Sequence, residues 1–145
     1  MMGTHIKVNM KGLQKFQQNL NKLNTAQTQQ FTEAALKELA ARLLRKVKFR
    51  TPVGQYPSGS GKTGGTLRRE WTVGEVRKTG GTYTIEIINP VEYAPYVEFG
   101  HRTANHQGWV EGKFMLTISE AELQADVPGI LQRKLDKFVK DTLGK

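Results

Sequence analysis

From Thr25 to Phe49 the chain repeats apolar residues every three or four positions. Phe31, Ala35, Leu36, Leu39, Ala40, Leu43 and Val47 therefore fall on one stripe of a long amphipathic helix. A helix of this length has to bury that stripe from end to end. The chain has 145 residues, of which 37% are hydrophobic, enough for one modest core, so the rest of a single domain spanning residues 1–145 has to supply the cover. Glu33 with Lys37, and Glu38 with Arg42, are spaced as i,i+4 ion pairs in the favourable orientation. The basic residues Arg42, Arg45, Lys46, Lys48 and Arg50 fall in the last turns, where positive charge suits the carbonyl end of the helix dipole. Pro52 then stops the helix, because the residue before a proline is driven away from helical angles.

The flanking segments predict the cover. His5–Met10 alternates Ile6 and Val8 with polar residues as a short strand, and Leu13, Phe16, Leu20 and Leu23 follow at helical spacing. Residues 51–66 hold five glycines and two prolines in sixteen positions and are expected to form a flexible loop. Leu67, Trp71 and Val73 share one face of an alternating run, Tyr83, Ile85 and Ile87 share one face of another, and the Gly80-Gly81 pair between them predicts a hairpin turn. The stretch YAPYVEFG, residues 93–100, reads as a short helix with Pro95 in its first turn, Tyr96, Val97 and Phe99 as its apolar side, and Gly100 just past its end. Residues 101–112 read as a polar loop anchored by Trp109. From Lys113 the pattern is helical, with a strand for the first five residues left open. Ser119 with Glu122 offers an alternative helix start as a capping box. Pro128 marks a break or a new start before a last helix carrying Leu131, Leu135, Phe138 and Val139.

The most conspicuous motif is SGSGKT, residues 58–63, which imitates a phosphate-binding loop. That loop needs glycine five positions before the Gly-Lys-Thr step, and Tyr56 stands there. A basic helix end and a Thr-Pro step precede it where a buried strand is required, and no apolar strand ending in aspartate follows to hold magnesium. No nucleotide cofactor is expected. His101 and His106, with Glu92, Glu98 and Glu111 nearby in sequence, match no metal-ligand spacing. No serine lies in a nucleophile-elbow context and no carboxylate pair is singled out, so neither an enzyme nor a small-molecule substrate is predicted. The chain has no cysteine, which removes disulfides and thiolate chemistry. No stretch approaches the roughly 18 apolar residues of a membrane span, and no leader peptide is apparent, so a soluble protein made in the cytoplasm is expected. The net charge of +9 attracts polyanions, and Arg42–Arg50 with Arg68 and Arg69 flank the glycine-rich segment as a candidate basic patch. A small basic nucleic-acid-binding module is therefore the alternative reading. Trp71, Tyr83, Tyr93, Tyr96, Phe99 and Trp109 are spaced among aliphatics as core or subunit-interface residues rather than base-stacking platforms.

The order of these segments carries a resemblance. A helix ending in Thr51-Pro52-Val53, then TGGTLRREWTV, a hairpin, NPVEYAPYVEFGHRT, GWVEGKFML and a last helix resembles the gene-product-ten-like family of tail-completion and head-tail joining proteins. These belong to long-tailed double-stranded DNA phages and to prophages. The likeness runs from about Ile6 to Leu143 and is most specific at Tyr93, Ala94, Tyr96–Gly100 and the Thr-Gly-x-Leu-Arg pattern at Thr63, Gly64 or Gly65, Leu67 and Arg68. GQYPSGSGK is an insertion where the family has a short connection. GWVEGKFML replaces a proline-containing approach to the last helix and leaves the path of residues 104–113 open.

The resemblance implies an α+β fold, a long α-helix packed on a small antiparallel β-sheet with additional N- and C-terminal helices. It further implies a non-enzymatic virion assembly protein, present in the host cytoplasm during assembly and then in the neck or tail. Such a protein forms a homo-oligomeric ring and docks to connector and tail proteins, with DNA contact in a lumen or acidic partners as the open uses of its charge. No membrane partner is implied. The expected contact residues are Tyr56, Lys62, Arg68, Arg69, Tyr93, Tyr96, Glu98, Phe99, His101, Arg102 and Trp109.

Overall fold

A computed structural model describes residues 2–9, 22–54, 59–61 and 64–144. The helix expected from the apolar stripe is present as α1, Thr25–Arg50, and follows strand β1, Met2–Asn9. Asn24 caps α1: its side chain accepts from the Gln27 amide at 2.8 Å while Gln27 Oε1 accepts from the Asn24 amide at 3.0 Å, so two otherwise orphaned donors are satisfied. All seven residues of the predicted stripe are buried, together with Thr32. On the outer face Glu33 accepts from Gln29 rather than forming the expected bridge to Lys37, whereas Glu38 and Arg42 do pair at 3.3 Å.

Next come a four-residue helix α2, Thr66–Arg69, and the strands β2, Thr72–Val73, β3, Arg77–Thr79, and β4, Thr82–Asn89. Strand β4 is the centre of the antiparallel sheet, with β1 on one side and β2 and β3 on the other. Its side chains alternate, Tyr83, Ile85, Ile87 and Asn89 being buried. The register sets Met2, Thr4 and Ile6 of β1 opposite Asn89, Ile87 and Ile85, so this face of both strands turns toward α1. The chain continues as α3, Ala94–Phe99, a two-stranded hairpin of β5, Gly100–Arg102, and β6, Trp109–Glu111, and the 29-residue helix α4, Met115–Leu143. Helix α4 packs along α1. Lys134 bridges to Glu38 at 3.2 Å, while Lys46 and Arg50 near the other end of α1 bridge to Glu122, so the two helices run antiparallel. Apolar residues from both long helices, α2, α3 and the sheet merge in one core containing Trp71, Phe31, Leu36, Ile87, Met115 and Leu135. The architecture is α+β.

The structure corrects several expectations. The run from Leu67 to Val73 is a strand only at Thr72–Val73: Leu67 and Trp71 lie four apart, a spacing that fits a helical turn as well as alternate strand positions, and both are buried while Val73 is exposed. Thr66, placed at the end of the predicted loop, begins α2, and Thr51 at its start is buried. Residues 101–112 are a hairpin rather than a polar loop, and Trp109 is 55% exposed rather than an anchor. Helix α4 starts at Met115 and continues through both Ser119 and Pro128. Buried Ser119 does not cap; its hydroxyl donates to the Met115 carbonyl one turn back at 2.6 Å. Strand β1 begins at Met2, earlier than His5, because β4 offers partners along that whole length. The helix expected over Leu13–Leu20 lies outside the described residues; Leu23 at its end is buried in the core.

Candidate interaction surface

Helix α3 turns inside out relative to its sequence. Its inward residues are Ala94 and Glu98, four apart and both fully buried. Tyr96 and Phe99, the expected apolar side, are 60% and 56% exposed, with Tyr93 close to half exposed and Val97 half-buried. The cause lies at the start of α4, whose first amides have no intrahelical partner. Glu98 Oε1 accepts from the Leu116 amide at 2.8 Å, and Oε2 accepts from the Thr117 amide at 2.9 Å and from the Thr117 hydroxyl at 2.6 Å. A carboxylate at the positive end of a long helix is favoured by the dipole as well as by these bonds. Backbone bonds from Lys113 to Val97 at 2.8 Å and from Phe114 to Glu98 at 3.0 Å close the same junction. Gly112 is required there, since a Cβ at this position would lie 2.3 Å from the Glu98 carbonyl oxygen. Gly100, which ends α3, has φ 91° and packs against the Val110 carbonyl, so the hairpin folds back against the helix.

With Glu98 committed inward, α3, the hairpin and the first turns of α4 form a cross-braced unit that presents Tyr93, Tyr96, Phe99, Trp109, Val110, Phe114 and Ile118 to solvent. The Tyr96 and His101 rings meet edge-on at 6.0 Å, and the His101 Nδ1 lies 2.8 Å from the Arg102 carbonyl. The braced support thus carries exposed aromatic side chains, with His101 and Arg102 as polar neighbours.

The stems of the glycine-rich segment are held by a second network. Thr51 caps the end of α1 with its hydroxyl donating to the Val47 carbonyl at 2.6 Å, and the same hydroxyl accepts from the Trp71 indole at 2.9 Å. Arg68 donates twice to the Thr51 carbonyl, at 3.1 and 2.7 Å, which commits its guanidinium to the fold. Asn89 donates to the Leu67 carbonyl at 2.8 Å and accepts from the Val91 amide. Arg69 reaches the Gly64 carbonyl and the Thr66 hydroxyl at the surface. Gly54 and Gly64 touch: a Cβ on Gly64 would lie 2.0 Å from the Gly54 carbonyl oxygen. The stems on either side of residues 55–63 thus meet at Gly54 and Gly64. Tyr56 and Lys62 lie within that stretch, outside the described residues.

Much of the candidate basic patch is engaged internally: Arg42 with Glu38, Lys46 and Arg50 with Glu122, and Arg68 with Thr51. Burial works to raise the Glu38 carboxyl, but the hydrogen bond and charge of Lys134 together with Arg42 outweigh it and hold the group below its ordinary value. Hydrogen bonds from Arg50 and Lys46 lower Glu122 in the same way. Among the described residues no three histidine or carboxylate side chains converge as a metal site, and no helix is long and apolar enough to cross a membrane. Sequence reasoning missed the capping role of Glu98, because its partners lie 18 and 19 residues further on and leave no local pattern.

No curated protein and no solved structure matches the chain. A protein family described as "Bacteriophage HK97-gp10, putative tail-component" matches residues 14–100, which include α1, the stem network, the main sheet from β2 to β4, and α3 with Glu98. That match covers more than half of the chain, and the chain therefore belongs to the HK97-gp10-like family of phage tail components.

Proposed function

We propose that this tail component is a non-enzymatic assembly factor that completes the tail or joins it to the head. It acts by self-association and by docking to connector or tail proteins. The observation that carries this reading is the inversion of α3: a charged side chain is buried beneath the surface while Tyr93, Tyr96 and Phe99, with Trp109 on the neighbouring hairpin, are turned outward. Large aromatics on a pre-organised support are the side chains that dominate protein interfaces. The support is fixed by hydrogen bonds that do not involve the exposed rings, so the rings can be removed without disturbing it. The test is a Phe99→Ser, Trp109→Ser double variant introduced into the parent phage. It is expected to fold with an unchanged melting temperature and to leave heads and tails unjoined or tails incomplete. Normal yields of infectious, DNA-filled particles from that variant would overturn the reading.

A further inference from the structure

Among the described residues β1 is an edge strand, paired only with β4. Between that edge and α4 runs a groove of about 530 Å³, with Leu43 at its floor and Leu123, Val127 and Pro128 along its helical wall. Two chemical features make the groove specific. Pro128, inside α4, has no amide hydrogen to give to the carbonyl of Gln124 one turn earlier, which interrupts the hydrogen bonding of the helix beside the groove. The rims are also unlike in charge, with His5 and Lys7 on the strand side and Glu120 on the helix side.

The same chain carries a counterpart. The β5–β6 hairpin projects Trp109 and Val110 into solvent, with Glu111 on one strand and Arg102 on the other. A tryptophan seated in the groove packs its rings against Val127 and Pro128, above the already buried Leu43 and Leu123. Arg102 and Glu111 then oppose Glu120 and Lys7, each meeting the opposite charge. The hairpin and the groove share no residue, so a contact between them joins unlike surfaces of two copies head to tail, the kind of contact that builds a ring when its rotation closes. We infer that the β5–β6 hairpin of one copy, led by Trp109, docks in the groove between β1 and α4 of the next copy. This inference rests on the self-association proposed above and specifies its interface.

The absence of cysteine from the chain gives a clean background for crosslinking. Separately purified Glu111→Cys and Lys7→Cys proteins, both altered at exposed positions, are mixed at high concentration and oxidised. Disulfide-linked dimers are expected from the mixture and not from either protein alone. Trp109→Ala and Val127→Arg are each expected to weaken self-association about tenfold or more by light scattering, with helical content unchanged. If the wild type oligomerises but the Glu111→Cys and Lys7→Cys proteins give no mixed disulfide, or Glu111→Cys alone gives homodimers, the hairpin-in-groove contact is overturned and self-association stands. A wild-type chain that stays monomeric at millimolar concentration overturns both.

Discussion

Glu98 and Thr51 show how single side chains set the shape of this protein. Glu98 is a buried carboxylate whose acceptors are filled by two amides and a hydroxyl at the start of α4. Glu98→Gln keeps the volume but turns an amide group toward donors, and it is expected to lower stability by about 1–3 kcal/mol, read as a shift in urea midpoint. Thr51→Val removes the acceptor of the Trp71 indole and the hydroxyl that caps α1. A similar loss of about 1–3 kcal/mol is expected, accompanied by a change in tryptophan emission that the Glu98 variant does not produce. The sequence made residues 93–100 legible as a short helix, but its facing was not. Aromatic rings normally turn inward on burial grounds, and only the amides of a distant helix end reverse that preference here.

The antiparallel pairing of α1 with α4 adds a pH-dependent contribution at the level of elements. Glu38 and Glu122 both have lowered folded-state pKa values, so the stability they contribute is fully present above the ordinary carboxylate value of 4.5. That contribution fades as pH falls through the lower folded values. Melting temperature is expected to drop below pH 4.5 in the wild type, and by less in a Glu38→Gln, Glu122→Gln variant, whose stability at neutral pH is already reduced. Pro128 interrupts the hydrogen bonding of α4. Pro128→Ala restores an amide and is expected to raise thermal stability by about 1 kcal/mol or more, measured by calorimetry. Long elements were legible where their period was sustained, as in all seven buried stripe residues of α1. The short ones were not: Leu67 and Trp71 satisfy two periods at once, and α2 is only one turn long.

For the whole molecule, the close approach of Gly54 and Gly64 brings together the two stems of the glycine-rich segment. Deleting Gln55–Lys62 is expected to change stability by less than about 1 kcal/mol, since shortening a loop alters closure entropy only slowly. Its cost is expected instead in tail or neck assembly, scored as particle yield; a large drop in melting temperature would show that the segment supports the core. The segment that carries the apparent phosphate motif follows the end of α1, not the buried strand that nucleotide binding requires.

The sequence by itself determined the long helix, its end at the Thr-Pro step, the alternating central strand, the Gly-Gly turn and the tail-component family. Each of these rests on local periodicity, on backbone chemistry of proline and glycine, or on the order of segments. Only the tertiary structure decided which way α3 faces, that residues 100–111 pair as a hairpin, that α4 runs unbroken through Pro128, and that a groove opens between β1 and α4. Those outcomes depend on groups far apart in the chain satisfying one another's hydrogen bonds and apolar surface, and local sequence carries no record of that balance.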